Sequence, residues 1–435
     1  MPNPFVSVIN LGCRVNRVES DRMTADFARA GFILVDPDEA DLVVINTCAV
    51  TGEAEAKTRK AVRHALGLAR SPYVIATGCV VNLHPEMLRE LSDRVITEPS
   101  KISVVSRACE VLGFDLDNAS DDDVSAHDLA DLLGRKRLGV KIQDGCNNRC
   151  SYCIVWKARG PERSVPVSAV LDQVNKACEA DVPEIVLTGV NLGAYDGESA
   201  LDAHVEIDEL LSTILRETDI PHIRISSVEP MDVSERLIDV MAAYPDRVAP
   251  FLHLPVQSGC SETLRRMNRP YSAEDFEQTV RMIRGKIPAV SLSCDLIVGF
   301  PGESDIEFEQ SLELCRRVGF SRMHVFRYSA RPGTPAAAAP DQVPPEVMSE
   351  RSKRMRSLAQ ELSLQDARSR VGTREIAVIE HGNFATLGSF HKAVVDEPLD
   401  VPASGVFRAD ILTCDASGLL HIRPSIDTAA TGSPS

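Results

Sequence analysis

The chain has 435 residues, of which 44% are hydrophobic, and a formal net charge of −16. This length predicts two or three domains, and the acidic balance argues against a surface that binds polyanions everywhere, although a local basic cleft is compatible with it. The sequence has no run of 18 apolar residues and no basic, apolar leader, so we expect a cytoplasmic protein without a membrane segment. Twelve cysteines in a reducing compartment favour metal or redox chemistry over disulfides.

Residues 1–112 alternate strand and helix signals, which predicts a parallel α/β sheet domain. Three of its predicted strands each run into a cysteine, namely Cys13, Cys48 and Cys79. The carboxyl ends of parallel strands meet at one edge of a sheet, so these thiols are expected to converge. The alternative is that each is a small buried side chain at a strand end. The small residues before them, Gly12, Thr47 and Gly78, favour convergence.

Residues 113–134 contain no lysine or arginine but many aspartates, which predicts a solvated acidic linker or insertion. From 135 to 370, six strand candidates are separated by helical patterns. Repeated β-α units of this length predict a partial (β/α) barrel whose chemistry sits in the loops after the strands. Residues 371–426 change to short β segments, which suit a small β-barrel, and 427–435 read as a disordered tail.

The first loop of the predicted barrel carries three thiols, Cys146, Cys150 and Cys153, at C-x3-C-x2-C spacing. A structural zinc site needs four ligands, and no further Cys or His lies within the next twenty residues. A 4Fe-4S cube held by three thiolates would keep one iron open to a chelating cofactor. A zinc site or a chance grouping of cysteines is the alternative.

This loop, with the ordered loops after it, resembles the cluster loop of the radical S-adenosylmethionine (SAM) superfamily. The three strand-end cysteines, the barrel and the small β module together resemble the methylthiotransferases of that superfamily, whose third module is the RNA-binding TRAM domain. The resemblance implies SAM and two 4Fe-4S clusters, one on Cys146, Cys150 and Cys153 and one on Cys13, Cys48 and Cys79. It also implies SAM-binding residues in the loops: Tyr152, Thr188, Gly189, Asn191, Ser226, Ser227, Glu229, Ile297, Val298 and Gly299.

Within the family, NLGCRVNRVESDRM, LTGVNLGAY, LHLPVQSG and HVFRYSARPGTPAA resemble the branch that acts on threonylcarbamoyladenosine, at adenosine 37 of tRNA. That likeness implies that a methylthio group is added to carbon 2 of the adenine ring. Sister branches act on isopentenyladenosine in tRNA or on a ribosomal-protein aspartate. The alternative from another class is a non-catalytic iron-sulfur protein that binds RNA or senses redox state. An electron donor such as flavodoxin or ferredoxin is expected, and the sulfur donor stays open.

Arginines beyond the cluster loop and beyond the sixth strand are the predicted contacts to the modified base, because a threonyl carboxylate favours bidentate arginine. The predicted substrate residues are Arg159, Arg163, Gln257, Arg327 and Arg331. The basic positions of the helix that follows either line a path for a phosphate backbone or form a solvated face. The C-terminal module carries eight acidic and four basic residues from Thr373 onward, which argues against strong RNA binding by that part.

Overall fold

The computed structural model describes residues 3–115, 136–199, 203–396 and 405–425. An N-terminal α/β unit, a partial (β/α) barrel and a small closed β-barrel follow one another along the chain, which confirms the predicted fold class. The predicted acidic linker beyond residue 115 and the predicted tail lie outside the described residues. No helix in these ranges is both long and apolar enough to cross a bilayer.

The N-terminal unit is built on five parallel strands in the order β2-β1-β3-β4-β5. The strands are β1 (Phe5–Asn10), β2 (Ile33–Leu34), β3 (Leu42–Thr47), β4 (Tyr73–Gly78) and β5 (Val95–Thr97). The helices are α1 (Arg14–Arg29), α2 (Gly52–Leu66), α3 (Cys79–Leu83), α4 (Glu86–Arg89) and α5 (Val104–Leu112). Apolar clusters cover both faces of the sheet, so the central strand β3 is buried along its whole length.

The barrel has six parallel strands in two hydrogen-bonded halves, β12-β9-β6 and β13-β14-β15. They are β6 (Arg137–Lys141), β9 (Glu184–Thr188), β12 (His222–Ile225), β13 (Phe251–His253), β14 (Ser291–Val298) and β15 (Arg322–Arg327). A bridge between Ser227 and His253 joins the halves. Two short hairpins lie in the loops: β7 (Gln143–Asp144) with β8 (Arg163–Ser164), and β10 (Asp196–Glu198) with β11 (His204–Glu206).

Helices cover the outside of this barrel, and their apolar faces form one large core with alternate strand residues. The helices are α6 (Val155–Arg159), α7 (Val167–Glu179), α8 (Ile207–Glu217), α9 (Glu235–Ala243), α10 (Ser261–Arg266), α11 (Ala273–Lys286), α12 (Asp305–Val318) and α13 (Pro345–Ser369). Capping boxes at Ser272 and Ser304 fix the starts of α11 and α12. The remaining strand residues point into the barrel, where polar and charged side chains predominate.

Helix α1 of the N-terminal unit packs along the first barrel strand. A Cβ at Gly139 would lie 2.2 Å from Cγ2 of Val18, so only glycine leaves room for this contact. The next residue, Glu19, accepts a hydrogen bond from Lys141 Nζ at 2.6 Å. A second contact joins Gly52 N–H to Ser329 Oγ at 3.0 Å. The sheet edge that carries the N-terminal cysteines is thereby held against the barrel.

The C-terminal module is a closed barrel in the order β16-β17-β18-β20-β19. Its strands are β16 (Arg374–His381), β17 (Phe384–Leu387), β18 (Lys392–Val395), β19 (Val406–Cys414) and β20 (Leu420–Pro424). It packs against the amino ends of the larger barrel's strands, where Arg224 donates to the carbonyls of Leu387 and Gly388 at 3.0 and 2.8 Å. The rings of Phe251 and Phe390 also meet there, 4.9 Å apart.

Several boundaries differ from the sequence prediction. The sequence pattern predicts that helix α1 begins at Glu19, but the helix begins at Arg14, directly after Cys13. The edge strands β2 and β5 have two and three residues, too few for a periodic pattern, and they were not predicted. The sequence pattern does not predict strand β17 (Phe384–Leu387) either, because the strand is short and is flanked by turn residues.

Candidate active site

Cys13, Cys48 and Cys79 follow the neighbouring strands β1, β3 and β4 at one edge of the N-terminal sheet. Gly12 has a φ of +127°, and a Cβ there would lie 2.6 Å from Cβ and 2.9 Å from Sγ of Cys48. Burial, with smaller contributions from the charges of Cys13 and Cys79, raises the pKa of Cys48 to about 11. The three thiols therefore lie within electrostatic reach of one another, as soft-metal ligands must.

Two buried asparagines hold the loops that present these thiols. Asn16 Nδ2 donates to the carbonyls of Leu11 and Thr47 at 3.0 and 2.9 Å. Asn46 Nδ2 donates to the Asn16 carbonyl at 2.9 Å. These bonds satisfy backbone groups at the strand ends and fix the loop after β1 against the loop after β3.

The second trio, Cys146, Cys150 and Cys153, lies in the loop after β7. Burial raises the pKa of Cys146 to about 11 and that of Cys153 to about 12, and in both cases the charge of Cys150 adds to the rise. The loop turns sharply at Gly145, whose φ is +75° and whose Cβ would lie 1.9 Å from the Pro161 carbonyl oxygen.

Arg269 is a buried cation beside this loop. It donates from Nη1 to Cys150 Sγ at 3.3 Å and also forms an ion pair with Glu229. The N–H groups of Val190 and Asn191 both donate to Gln143 Oε1 at 2.9 Å, which brings the glycine-containing segment after β9 to the foot of the same loop. The thiol trio, Glu229 and Asn191 thus converge at the carboxyl ends of the strands, where barrel enzymes hold their chemistry.

Side chains of the third and fifth strand exits surround this point. Ser226 is buried directly after β12, and Ser227 pairs with His253. Ile297 and Tyr152 pack on the same apolar cluster, so the β14 exit touches the cysteine loop. Gly299 has a φ of +73° and donates from N–H to Glu303 Oε1 at 3.0 Å, while Val298 next to it is buried in the core.

Three of the predicted substrate arginines already pair with carboxylates of the chain. Arg159 is 5% exposed and forms ion pairs with Glu19 and Asp144, at 3.0 and 2.8 Å. Arg163 pairs with Asp144 at 3.0 Å, and Arg331 pairs with Glu55 of the N-terminal unit.

The other two predicted substrate residues also lie away from one another. Arg327 lines a surface cavity of about 510 Å³ beside α13. Gln257 is buried at a φ of +68°, and its N–H donates to the Asp295 carbonyl at 2.9 Å. The structure therefore does not bring these five residues into one pocket.

A family model described as the radical SAM superfamily matches residues 140–315, and one described as uncharacterized protein family UPF0004 matches residues 6–97. The chain is 32% identical over 379 residues to the threonylcarbamoyladenosine tRNA methylthiotransferase MtaB of Thermotoga maritima, with 86% of each protein covered. The chain belongs to the radical SAM tRNA methylthiotransferase family.

Relatives within this methylthiotransferase family are named for different substrates. The tRNA-2-methylthio-N(6)-dimethylallyladenosine synthase of Novosphingobium aromaticivorans is 33% identical over 386 residues, with 86% of each protein covered. Among solved structures, the radical SAM methyltransferase TsrM of Kitasatospora setae has a TM-score of 0.55 at 15% identity, with 77% of each chain covered. The latter likeness concerns the fold alone.

Enzymes of this family use SAM and 4Fe-4S clusters, and the residues of this methylthiotransferase fit both groups. Within the described residues, the buried atoms Asn191 Oδ1 and Asp232 Oδ2 have no hydrogen-bond partner. Both are acceptors beside Glu229, which suits the ammonium group of SAM. Burial, followed by the charge of Glu229, raises the pKa of Asp232 to about 6.

Sequence reasoning missed several residues of this site. Asp232 and Arg269 have no motif of their own, and they reach the cysteine loop from segments 79 or more residues away. Inside the barrel, His253, Asp295 and His324 bring one ligand atom each to within 4.8 Å of one another. The histidines could have been found from the sequence, because successive side chains of a strand point to opposite faces and the histidines fall at positions that point into the barrel.

Proposed function

We propose that this methylthiotransferase adds a methylthio group to carbon 2 of threonylcarbamoyladenosine at adenosine 37 of tRNA. The observation that carries the proposal is the pairing of two three-thiol sites across one domain contact. Arg159 lies six residues after Cys153 of the barrel trio, and its positive charge acts on Cys79 of the N-terminal trio. This charge lowers the pKa of Cys79, while burial has the larger effect and raises it. The name borne by the MtaB relatives and the motifs of the chain favour this nucleoside.

In this proposal, Cys146, Cys150 and Cys153 hold the cluster that serves SAM, and Cys13, Cys48 and Cys79 hold the cluster that serves sulfur transfer. When bound, SAM and the clusters supply the one-electron chemistry and the sulfur that replacement of an unactivated C–H bond requires. The protein positions the reacting groups and excludes water from the site. Asn191, Asp232 and Glu229 bind and orient the amino-acid part of SAM.

The residues after β14 and β12 complete that SAM site in the proposal. Ile297, Val298 and Gly299 flank the adenine, while Ser226 and Ser227 offer hydroxyls to the ribose. Tyr152, packed on the same cluster as Ile297, closes the apolar side. The tightness of the Gly299 turn supports this, since a Cβ there would lie 2.2 Å from Met348 Cγ and would displace the wall of the site.

The tRNA path runs over the outer face of α13 in this proposal. Arg327, Lys353 and Arg356 line one surface cavity, whereas Arg351 and Arg354 of the same helix are already paired with carboxylates. A phosphate backbone would neutralise the three cations, so binding is expected to weaken as salt rises. The physiological electron donor in this proposal is a flavodoxin or ferredoxin.

Nucleoside mass spectrometry of tRNA tests the function. Anaerobically reconstituted protein, SAM and a reductant are incubated with tRNA that carries threonylcarbamoyladenosine or, separately, isopentenyladenosine at position 37. We expect the 2-methylthio derivative of the first nucleoside only. Product from isopentenyladenosine alone would move the enzyme to the sister branch, and SAM cleavage without product from either tRNA would contradict both assignments.

A further inference from the structure

Four guanidinium groups surround one aromatic ring at the floor of the larger barrel. The ring belongs to Phe390 of the C-terminal module. The Cζ atoms of Arg224, Arg322, Arg137 and Arg14 lie 4.8, 4.9, 5.6 and 5.7 Å from its centroid. An aromatic face attracts cations, which explains how so many of them are tolerated around it.

Two of these cations are neutralised. Arg224 forms a two-bond pair with the buried carboxylate of Glu184, at 3.1 and 3.0 Å. Arg137 pairs with Glu380 at 2.5 Å and lies 3.8 Å from Glu184. Arg224 and Arg137 therefore each have a carboxylate partner.

The other two cations keep their charge unmatched. In the part of the chain that the structure describes, neither the Arg14 nor the Arg322 side chain makes a hydrogen bond or an ion pair, and both side chains are exposed to solvent. A negatively charged ligand placed between them would be attracted by both guanidinium groups, and no existing pair would have to break.

Arg14 links this cluster of arginines to the proposed sulfur site. Arg14 directly follows Cys13, and Arg322 shares a strand face with His324 because the two are two residues apart. Burial lowers the pKa of His324, and among the nearby charges both Arg322 and Arg14 lower it further. The three groups therefore lie close enough for their charges to interact, next to a cysteine of the proposed sulfur site.

The arginines predicted from the sequence are less suited to a substrate anion. Arg159, Arg163 and Arg331 already bind carboxylates of this chain. To bind a substrate carboxylate they would first have to break an existing pair, which costs most for the buried ones. Arg14 and Arg322 need to give up nothing.

We propose that Arg14 and Arg322 bind the carboxylate of the threonylcarbamoyl group and thereby select the substrate. This inference rests on the proposed function and names the specificity determinant of that same site. Guanidinium groups hold carboxylates through paired, charge-assisted hydrogen bonds. An isopentenyl group carries no charge and gains nothing from the two cations, so the site favours the threonylcarbamoyl group over it.

The test measures binding of anticodon stem-loop RNA to the reconstituted full chain by fluorescence anisotropy. Three RNAs are compared, with adenosine, threonylcarbamoyladenosine or isopentenyladenosine at position 37. The wild type is expected to prefer the threonylcarbamoyl RNA about tenfold over adenosine, and Arg14→Gln and Arg322→Gln each to remove most of that preference. The readout is the ratio of the affinities of each variant for the threonylcarbamoyl and the adenosine RNA, and Arg14→Lys recovers part of the preference.

Controls separate recognition from folding. Arg17→Gln removes a guanidinium from the same helix, where it is half exposed and pairs loosely with Asp21 at 3.7 Å, and it keeps the full preference. Iron content and thermal midpoint are measured for every variant. If Arg14→Gln loses iron, Arg322→Gln decides the matter, because Arg322 is far in sequence from every cysteine of the two trios.

A chemical variant of the substrate completes the test. RNA whose threonyl carboxylate is a methyl ester is expected to bind wild type and Arg322→Gln equally, since the charge that the arginine recognises is gone. Undiminished preference of both variants for the free carboxylate would overturn the inference while leaving the proposed function intact. Failure of the wild type to methylthiolate threonylcarbamoyladenosine would instead overturn the proposed function itself.

Discussion

Glu19 is the residue on which the contact between the sheet unit and the barrel depends most. Its carboxylate accepts hydrogen bonds from Lys141 at 2.6 Å and from Arg159 at 3.0 Å, and it also pairs with Lys101. Two of these cations belong to the barrel and one to the sheet unit. We predict that Glu19→Gln weakens the docking of the two units and slows sulfur transfer more than SAM cleavage.

The magnitude follows from the pKa of Glu19. Burial raises this pKa, but the hydrogen bond and charge of Arg159, followed by the charges of Lys101 and Lys141, outweigh burial and lower it to about 2. One pKa unit corresponds to 1.36 kcal/mol, so the fall of the pKa from its ordinary value of 4.5 to about 2 corresponds to about 3 kcal/mol of stability. Since the folded-state pKa is depressed, this stabilisation is present above pH 4.5 and is lost as the pH falls towards 2.

Urea unfolding followed by circular dichroism checks this at pH 7 and at several lower pH values. The variant should unfold at lower urea at pH 7, and the gap to the wild type should close as the pH approaches 2. Glu53→Gln is the matched control, because Glu53 is an exposed carboxylate whose ion pair among the described residues is with Lys57 of the same helix, and the midpoint of this variant should match the wild type. Equal midpoints for Glu19→Gln and wild type at pH 7 would refute the reasoning.

Three further outcomes are expected. Cys13→Ala and Cys150→Ala should each reduce iron, measured after anaerobic reconstitution, from about eight to about four atoms per chain. Gly139→Val should place methyl groups against Val18 and lower the urea midpoint by an amount equal to about 1 to 3 kcal/mol. Calorimetry should show SAM affinity rising as the pH increases through about 6, where Asp232 ionises, and Asp232→Asn should bind weakly with a flat pH profile.

The sequence predicts those features whose signal lies within a short segment of the chain. Strand β3 was recognised because a buried parallel strand reads as an unbroken apolar run, here Leu42 to Ile45. The spacing of Cys146, Cys150 and Cys153 and the strand-end positions of the other three cysteines are local as well. Both trios could therefore be named from the sequence, and the structure places the members of each within electrostatic reach of one another.

Partners that are distant along the chain could not be predicted in this way. The sequence analysis assigns Arg159 to the substrate because a threonyl carboxylate favours arginine, whereas in the structure Arg159 binds Glu19, which lies 140 residues earlier. The start of α1 was misplaced for a related reason. Asn16 looks like a loop residue in isolation, but its amide is buried against the carbonyls of Leu11 and Thr47, which makes it a structural residue of the helix.

Helix α1 joins the two halves of the proposed chemistry. Over seven residues it presents Cys13 to the N-terminal trio, Arg14 to the Phe390 ring, Val18 to Gly139 and Glu19 to Lys141. An α-helix turns 100° per residue, so these four directions are fixed relative to one another as soon as the helix forms. The separation between the sulfur site and the barrel is therefore set by one rigid element, and a shift of α1 by a single residue would move the thiol, the cation and the docking contacts together.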